Sequence, residues 1–198
     1  MLLRILILIV LSSSVLGEGV ASNGKEKVAA CVACHGADGN SLVGIWPTLA
    51  AQNEKYLLGQ LRNIQSGKRV IIEMTGLLDD LNEQDLADIS AYFASQNNIN
   101  GTTSEKYLDL GSKLYYSGSI EKGIPACTAC HSPSGKGNAL AGYPSLGGQK
   151  KEYLDKTLKE YRSGKRSGNE QALIMQSVSS KLNDAEIEAL ANFIHGLY

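Results

Sequence analysis

The chain has 198 residues, 43% hydrophobic and 20% charged, which fits one or two folded domains and excludes a disordered or multi-span membrane protein. A net charge of −1 argues against a broad nucleic-acid-binding surface. One Trp, nine Tyr and two Phe are a thin aromatic supply for two small cores, so other apolar mass is expected to fill them.

The chain opens on a charged, apolar and small-residue layout. Arg4 precedes the unbroken apolar run 5–11, Ser12 to Ser14 follow, and Val15-Leu16-Gly17 ends on a small residue. This predicts a cleaved export signal over residues 1–17, with Ala21 as the other candidate cleavage point. The stretch is too short and too Ser-interrupted to span a bilayer of ~30 Å comfortably. The mature chain is therefore expected to be soluble and exported to the periplasm.

A duplication organises the rest. Cys31-Val32-Ala33-Cys34-His35 recurs as Cys127-Thr128-Ala129-Cys130-His131. Pro47-Thr48, Gln52, Tyr56-Leu57 and Ser66-Gly67-Lys68-Arg69 recur 97 residues on, as Pro144-Ser145, Gln149, Tyr153-Leu154 and Ser163-Gly164-Lys165-Arg166. Met74 matches Met175, and Leu81-Asn82 matches Leu182-Asn183. Two copies at this period mean a duplicated small domain rather than a solenoid. The expected domains are 18–98 and 99–198, joined through the polar stretch 96–103.

Each half reads as helical. Short helices are expected near 24–32 and 105–116, separated from the next elements by Gly-rich loops at 36–47 and 132–144. Asn53 is placed to cap a helix running from Glu54 towards Gln65, with Leu57, Leu58, Leu61 and Ile64 on its apolar face and Gly67 stopping it. Asn82 and Asn183 each stand three residues before an acid, the signature of a capped helix start. The helices that follow are expected to bury Leu86, Ile89, Tyr92 and Phe93 in one half, and Ile187, Leu190, Phe193 and Ile194 in the other. No convincing alternating strand is present.

The chemistry is concentrated in the two pentapeptides, which use all four Cys and two of the three His. Cys-x-x-Cys-His is the spacing of c-type haem attachment. Two Cys three apart on one helical turn reach the two vinyl groups of one porphyrin, and the adjacent His projects at the iron. A disulfide, a structural zinc site and a thioredoxin-like pair are the competing readings. None explains why His follows the second Cys both times. Cys31, Cys34, Cys127 and Cys130 are thus read as attachment points for two haem c groups, with His35 and His131 facing the irons.

Beyond the initiator the chain has two Met, Met74 and Met175, each seven residues before a Leu-Asn helix start. Duplicated placement of the only two internal thioethers is hard to explain as packing, and both are candidate iron ligands. His195 is the competing donor; it has no counterpart in the first half and reads as a solvent-facing residue at a helix end.

A Cys-x-x-Cys-His near the start of each half, a Pro loop and a downstream Met before a last helix resemble the class I c-type cytochromes. The whole of 18–198 resembles the two-haem cytochrome c4 group, through Glu73-Met74-Thr75-Gly76-Leu77-Leu78, Tyr143-Pro144-Ser145-Leu146-Gly147-Gly148-Gln149 and Ile194-His195-Gly196-Leu197. The resemblance implies an all-α fold of two tandem cytochrome c-like domains, each wrapped around one covalent haem and related by a pseudo-twofold axis. It implies ligation by His35 with Met74 and by His131 with Met175. It also implies that the carbonyls of Pro47 and Pro144 hold the two imidazoles. The extra residues between Arg166 and Met175 are expected to lengthen one distal loop.

Irons with both axial positions filled have no vacant site for a substrate, so the expected role is electron transfer without bond chemistry. By resemblance, a quinol-oxidising complex or another cytochrome donates electrons to a monomeric carrier, and a haem–copper terminal oxidase accepts them. A dihaem electron-transfer subunit of a periplasmic dehydrogenase is the alternative, and a two-haem peroxidase a more remote one. The basic pairs Lys68-Arg69 and Lys165-Arg166 are read first as solvated turns and second as neighbours of haem propionates. Residues 18–100 carry six Lys/Arg against ten Asp/Glu, and 101–198 carry twelve against ten. The two halves are therefore expected to be electrostatically unequal.

Overall fold

The structure is a computed structural model that describes residues 18–167 and 170–198; the expected leader at 1–17 lies outside the described residues. In chain order the first half contains α1 (Ala21–Lys27), α2 (Ala29–His35), α3 (Glu54–Gln65), a 3₁₀ turn (Ile72–Met74) and α4 (Glu83–Ala94). The second contains α5 (Glu105–Ser117), α6 (Thr128–His131), α7 (Lys151–Arg162), α8 (Glu170–Ser179) and α9 (Asp184–His195). Among the described residues there is no strand, only isolated bridges at Ser119–Ile124 and Asn138–Tyr143. No helix among them is long and apolar enough to cross a membrane.

Local sequence sets the long helices. α4 and α9 each start on a capping box, Asn82 with Asp85 and Asn183 with Glu186, so two orphan donors are satisfied at each start. In each half the opening helix packs across the last one. Gly24 makes the α1–α4 crossing possible, since a Cβ there would lie 2.0 Å from the Asp88 carbonyl oxygen. Gly111 does the same for α5 and α9, where a Cβ would lie 2.6 Å from the Ala189 carbonyl oxygen. Val28, Leu57, Ile89 and Phe93 form the first core; Leu114, Tyr115, Leu154, Ile187, Leu190 and Phe193 lead a larger second one.

Several expectations change in detail. The opening helix near 24–32 is two helices, broken at Val28. Tyr92 is only half-buried, its hydroxyl donating to the Ala37 carbonyl at 2.8 Å. The stretch before Met175, expected as a longer loop, includes the helix α8. Asn53 does precede α3, but its side chain makes no capping bond. Its Nδ2 donates instead to the Tyr143 carbonyl at 2.6 Å, in the other half.

That bond belongs to a reciprocal interface. Gln149 pairs with the backbone of Thr48: the Thr48 N–H donates to Oε1 at 2.8 Å, and Nε2 donates to the Thr48 carbonyl at 2.8 Å. Gln52 pairs identically with Ser145, at 2.7 Å and 2.8 Å. Because these residues are counterparts under the duplication, the contact is self-complementary, as a twofold relation requires. The connecting stretch is tied to both halves: Asn40 holds the Asn97 carbonyl and the Ile99 N–H, and Asn98 donates to the Gly147 carbonyl.

Candidate functional site

The first pentapeptide lies on α2, which ends at His35. In the second, Cys127 is the cap of the single-turn helix α6, which ends at His131. A short helical turn thus presents two thiols and one imidazole in each half. All four thiols are free of disulfides. Burial pushes the Cys31 thiol up, with a further contribution from Cys34, and pushes the Cys127 thiol up to about 11. Neither has the stabilised thiolate of a thioredoxin-like pair.

Both imidazoles are buried and oriented alike. His35 Nδ1 lies 2.9 Å from the Pro47 carbonyl and His131 Nδ1 lies 3.0 Å from the Pro144 carbonyl. A carbonyl only accepts, so Nδ1 carries the proton and Nε2 presents a lone pair. Burial lowers both imidazole pKa values, against the opposing hydrogen bond to the carbonyl, and keeps the rings neutral. A neutral ring with a fixed tautomer is the form that ligates a metal.

One continuous cavity of about 930 Å³ runs between the halves. It is lined by all four Cys, by His35 and His131, and by Met74 from the 3₁₀ turn and Met175 from α8. The sequence-predicted site residues are therefore all brought to its walls. His195 does not line it; it is half-buried rather than solvent-facing, with Nδ1 at 2.9 Å from the Gln149 carbonyl. Among the described residues no group of three or more His, Cys, Asp or Glu side chains is gathered as a metal cage. Each half instead offers one imidazole nitrogen, one thioether and a pair of thiols against apolar walls, a set that fits a covalently tethered porphyrin iron.

The basic pairs divide. Lys68 and Lys165 are exposed, as a solvated turn predicts, but Arg69 is half-buried and Arg166 is 5% exposed. Arg166 Nη2 donates to the Tyr56 hydroxyl at 2.8 Å, its Nη1 donates to Tyr153 at 3.2 Å, and the guanidinium stacks on Tyr161. Burial by itself would raise the Tyr153 phenol, but Arg166 and Arg69 pull it below the ordinary phenol value. Two guanidinium groups with phenol, amide and hydroxyl partners at the cavity wall suit the carboxylates of a porphyrin. Tyr56, Tyr153, Gln52 and Gln149 were visible in the sequence only as repeated letters; their pairing across the halves gives those repeats a role.

Comparison with known proteins agrees with this geometry. The cytochrome c family profile matches residues 21–97 and again 108–197. Cytochrome c4 of Pseudomonas aeruginosa is 46% identical over 198 residues, covering 100% of this chain and 98% of that protein. The crystal structure of reduced recombinant cytochrome c4 from Pseudomonas stutzeri superposes with a TM-score of 0.89 at 46% identity, covering 91% of this chain and 100% of that one. A thiosulfate dehydrogenase electron acceptor from Thiomonas intermedia is 33% identical, over 85% of this chain and 78% of that protein. With a haem-attachment pentapeptide, a neutral imidazole and a thioether repeated on one cavity, the chain belongs to the cytochrome c family and, within it, to the cytochrome c4 group of dihaem electron carriers.

Proposed function

We propose that the chain is a periplasmic, monomeric electron carrier of a respiratory chain, built as haem domains 18–98 and 99–198 behind a leader at 1–17. Cys31 and Cys34 tether one haem and Cys127 and Cys130 the other. His35 and Met74 would hold the iron in the first half, and His131 and Met175 in the second. When bound, a haem held by these nitrogen and sulfur donors would supply one-electron exchange, at a potential that the thioether would raise. The chain's own residues do the rest. Pro47 and Pro144 fix the imidazole tautomers, the apolar walls exclude water, and Arg69 and Arg166 supply positive charge at the cavity wall. The observation that carries this reading is the shared cavity wall, with both neutral imidazoles and both internal thioethers on it. Electrons arrive from a quinol-oxidising complex or another cytochrome and leave towards a haem–copper oxidase.

The holoprotein should hold two acid–acetone-resistant haems and show the near-infrared sulfur-to-iron band. Met74→Ala and Met175→Ala should each remove about half of that band and open one iron to exogenous ligands. A wild type without the band overturns the ligand assignment. The second reading, acceptor for a periplasmic dehydrogenase, is favoured by the Thiomonas relative. It predicts stable co-purification with a catalytic subunit, which a free carrier lacks.

A further inference from the structure

The interface glutamines touch the other half at a particular peptide bond. The Pro47 carbonyl that accepts from His35 Nδ1 and the Thr48 N–H that donates to Gln149 belong to the same amide. The Pro144 carbonyl that accepts from His131 and the Ser145 N–H that donates to Gln52 are again one amide. Each histidine of one half is thus linked, through a single polarisable peptide group, to a glutamine of the other.

Both links are well defined. Gln52 and Gln149 are buried, as is Thr48. The residue before each glutamine has left-handed backbone: Gly148 at φ +72° and Ala51 at φ +54°. An Ala in that region costs about 1 kcal/mol, so the local turn is retained in the first half against its own preference. The N–H groups of these residues are pinned to the last helix of their own half, Ala51 to the Phe93 carbonyl at 3.0 Å and Gly148 to the Ile194 carbonyl at 3.1 Å. Each glutamine is a fixed arm that reaches across.

Hydrogen bonds in series polarise one another. When the Thr48 N–H donates to Gln149 Oε1, the amide shifts electron density onto the Pro47 oxygen. That oxygen becomes a stronger acceptor for His35 Nδ1–H, and the imidazole becomes a stronger donor through Nε2. A stronger donor favours the ferric state. We infer that Gln149 lowers the reduction potential of the iron site in the first half and Gln52 that of the second, each acting as a positioning residue across the interface. The inference rests on the proposed ligation by His35 and His131.

The test uses the dihaem holoprotein. Spectroelectrochemical titration gives the two midpoints, and ¹⁵N-histidine NMR of the oxidised protein assigns them through the hyperfine-shifted ring resonances of His35 and His131. Gln149→Leu should move the first-half midpoint to more positive potential and shift the His35 Nδ1–H resonance, leaving the second half in place. Gln52→Leu should do the mirror image. Gln149→Glu gives Thr48 a stronger acceptor while losing the Nε2 donor, and should move the first-half midpoint below the wild-type value and shift the His35 Nδ1–H resonance. This variant decides the matter alone if the leucine variants do not retain both haems. Equal movement of both midpoints, movement of the glutamine's own half, or no movement overturns the relay. Unshifted His35 and His131 rings in the wild type would instead overturn the ligand assignment.

Discussion

Arg166 and Tyr56 meet across the interface at 2.8 Å, guanidinium to hydroxyl, although 110 residues separate them. Their counterparts under the duplication, Arg69 and Tyr153, meet at 3.3 Å. The two contacts are equivalent in topology and unequal in burial. Arg166 is nearly inaccessible and stacks on Tyr161, where the first half has Ile64 and no aromatic ring. Arg166→Gln should therefore cost about 2 kcal/mol, since it deprives four half-buried partners of a buried donor at once. Arg69→Gln, at a half-buried position, should cost about 1 kcal/mol or less. Guanidinium unfolding of the two holoprotein variants gives the comparison, and equal losses would contradict the asymmetry.

Asp88 gives the first half a specific acid sensitivity. Burial alone would raise its carboxyl, but Lys27, the Val20 N–H and Gln84 together bring it down to about 2. A carboxylate held below its ordinary value stabilises the fold above about pH 4, and that contribution is lost as pH falls from 4 through 2. It amounts to about 2 kcal/mol. The position corresponds to Ala189 in the second half. Asp88→Asn should be less stable at neutral pH, with a flatter stability profile between pH 4 and 2.

The helix crossings should tolerate no side chain. Gly24→Ala and Gly111→Ala each push a methyl group into a backbone carbonyl of the facing helix. Each should cost about 3 kcal/mol, at the upper end of overpacking effects. Thermal unfolding of the two holoprotein variants measures both costs, and a loss well below about 1 kcal/mol in either would contradict the close crossing.

The charge imbalance, a net −4 over 18–100 against +2 over 101–198, should orient encounters with charged partners. Lys150 and Lys151 stand at the start of α7, and neither forms an ion pair among the described residues. Electron-transfer rates with a charged partner should fall as salt brings the Debye length to ~10 Å. Replacing both lysines by Glu should slow one partner more than the other in stopped-flow measurements. Rates indifferent to salt and to the charge reversal would instead mean docking by apolar contact alone.

The sequence by itself determined what depends on neighbours within a turn or two. The Cys-x-x-Cys-His pentapeptides, the capping boxes at Asn82 and Asn183, and the span of α3 from Glu54 to Gln65 all follow from spacings of three or four residues, because helix geometry brings those positions together. The duplication was equally legible, and with it the matched Met74 and Met175. Only the tertiary structure decided what each repeated polar residue touches. Asn53 has the spacing of a helix cap, yet its side chain accepts no capping bond and its Nδ2 donates to the Tyr143 carbonyl, 90 residues away. Lys165 and Arg166 are adjacent and equally charged, yet one is solvated and the other buried. A buried cation is stable only where several partners converge on it. Here those partners are Tyr56 and Gln60 from one half and Tyr153 and Thr157 from the other, and they converge only when the halves dock.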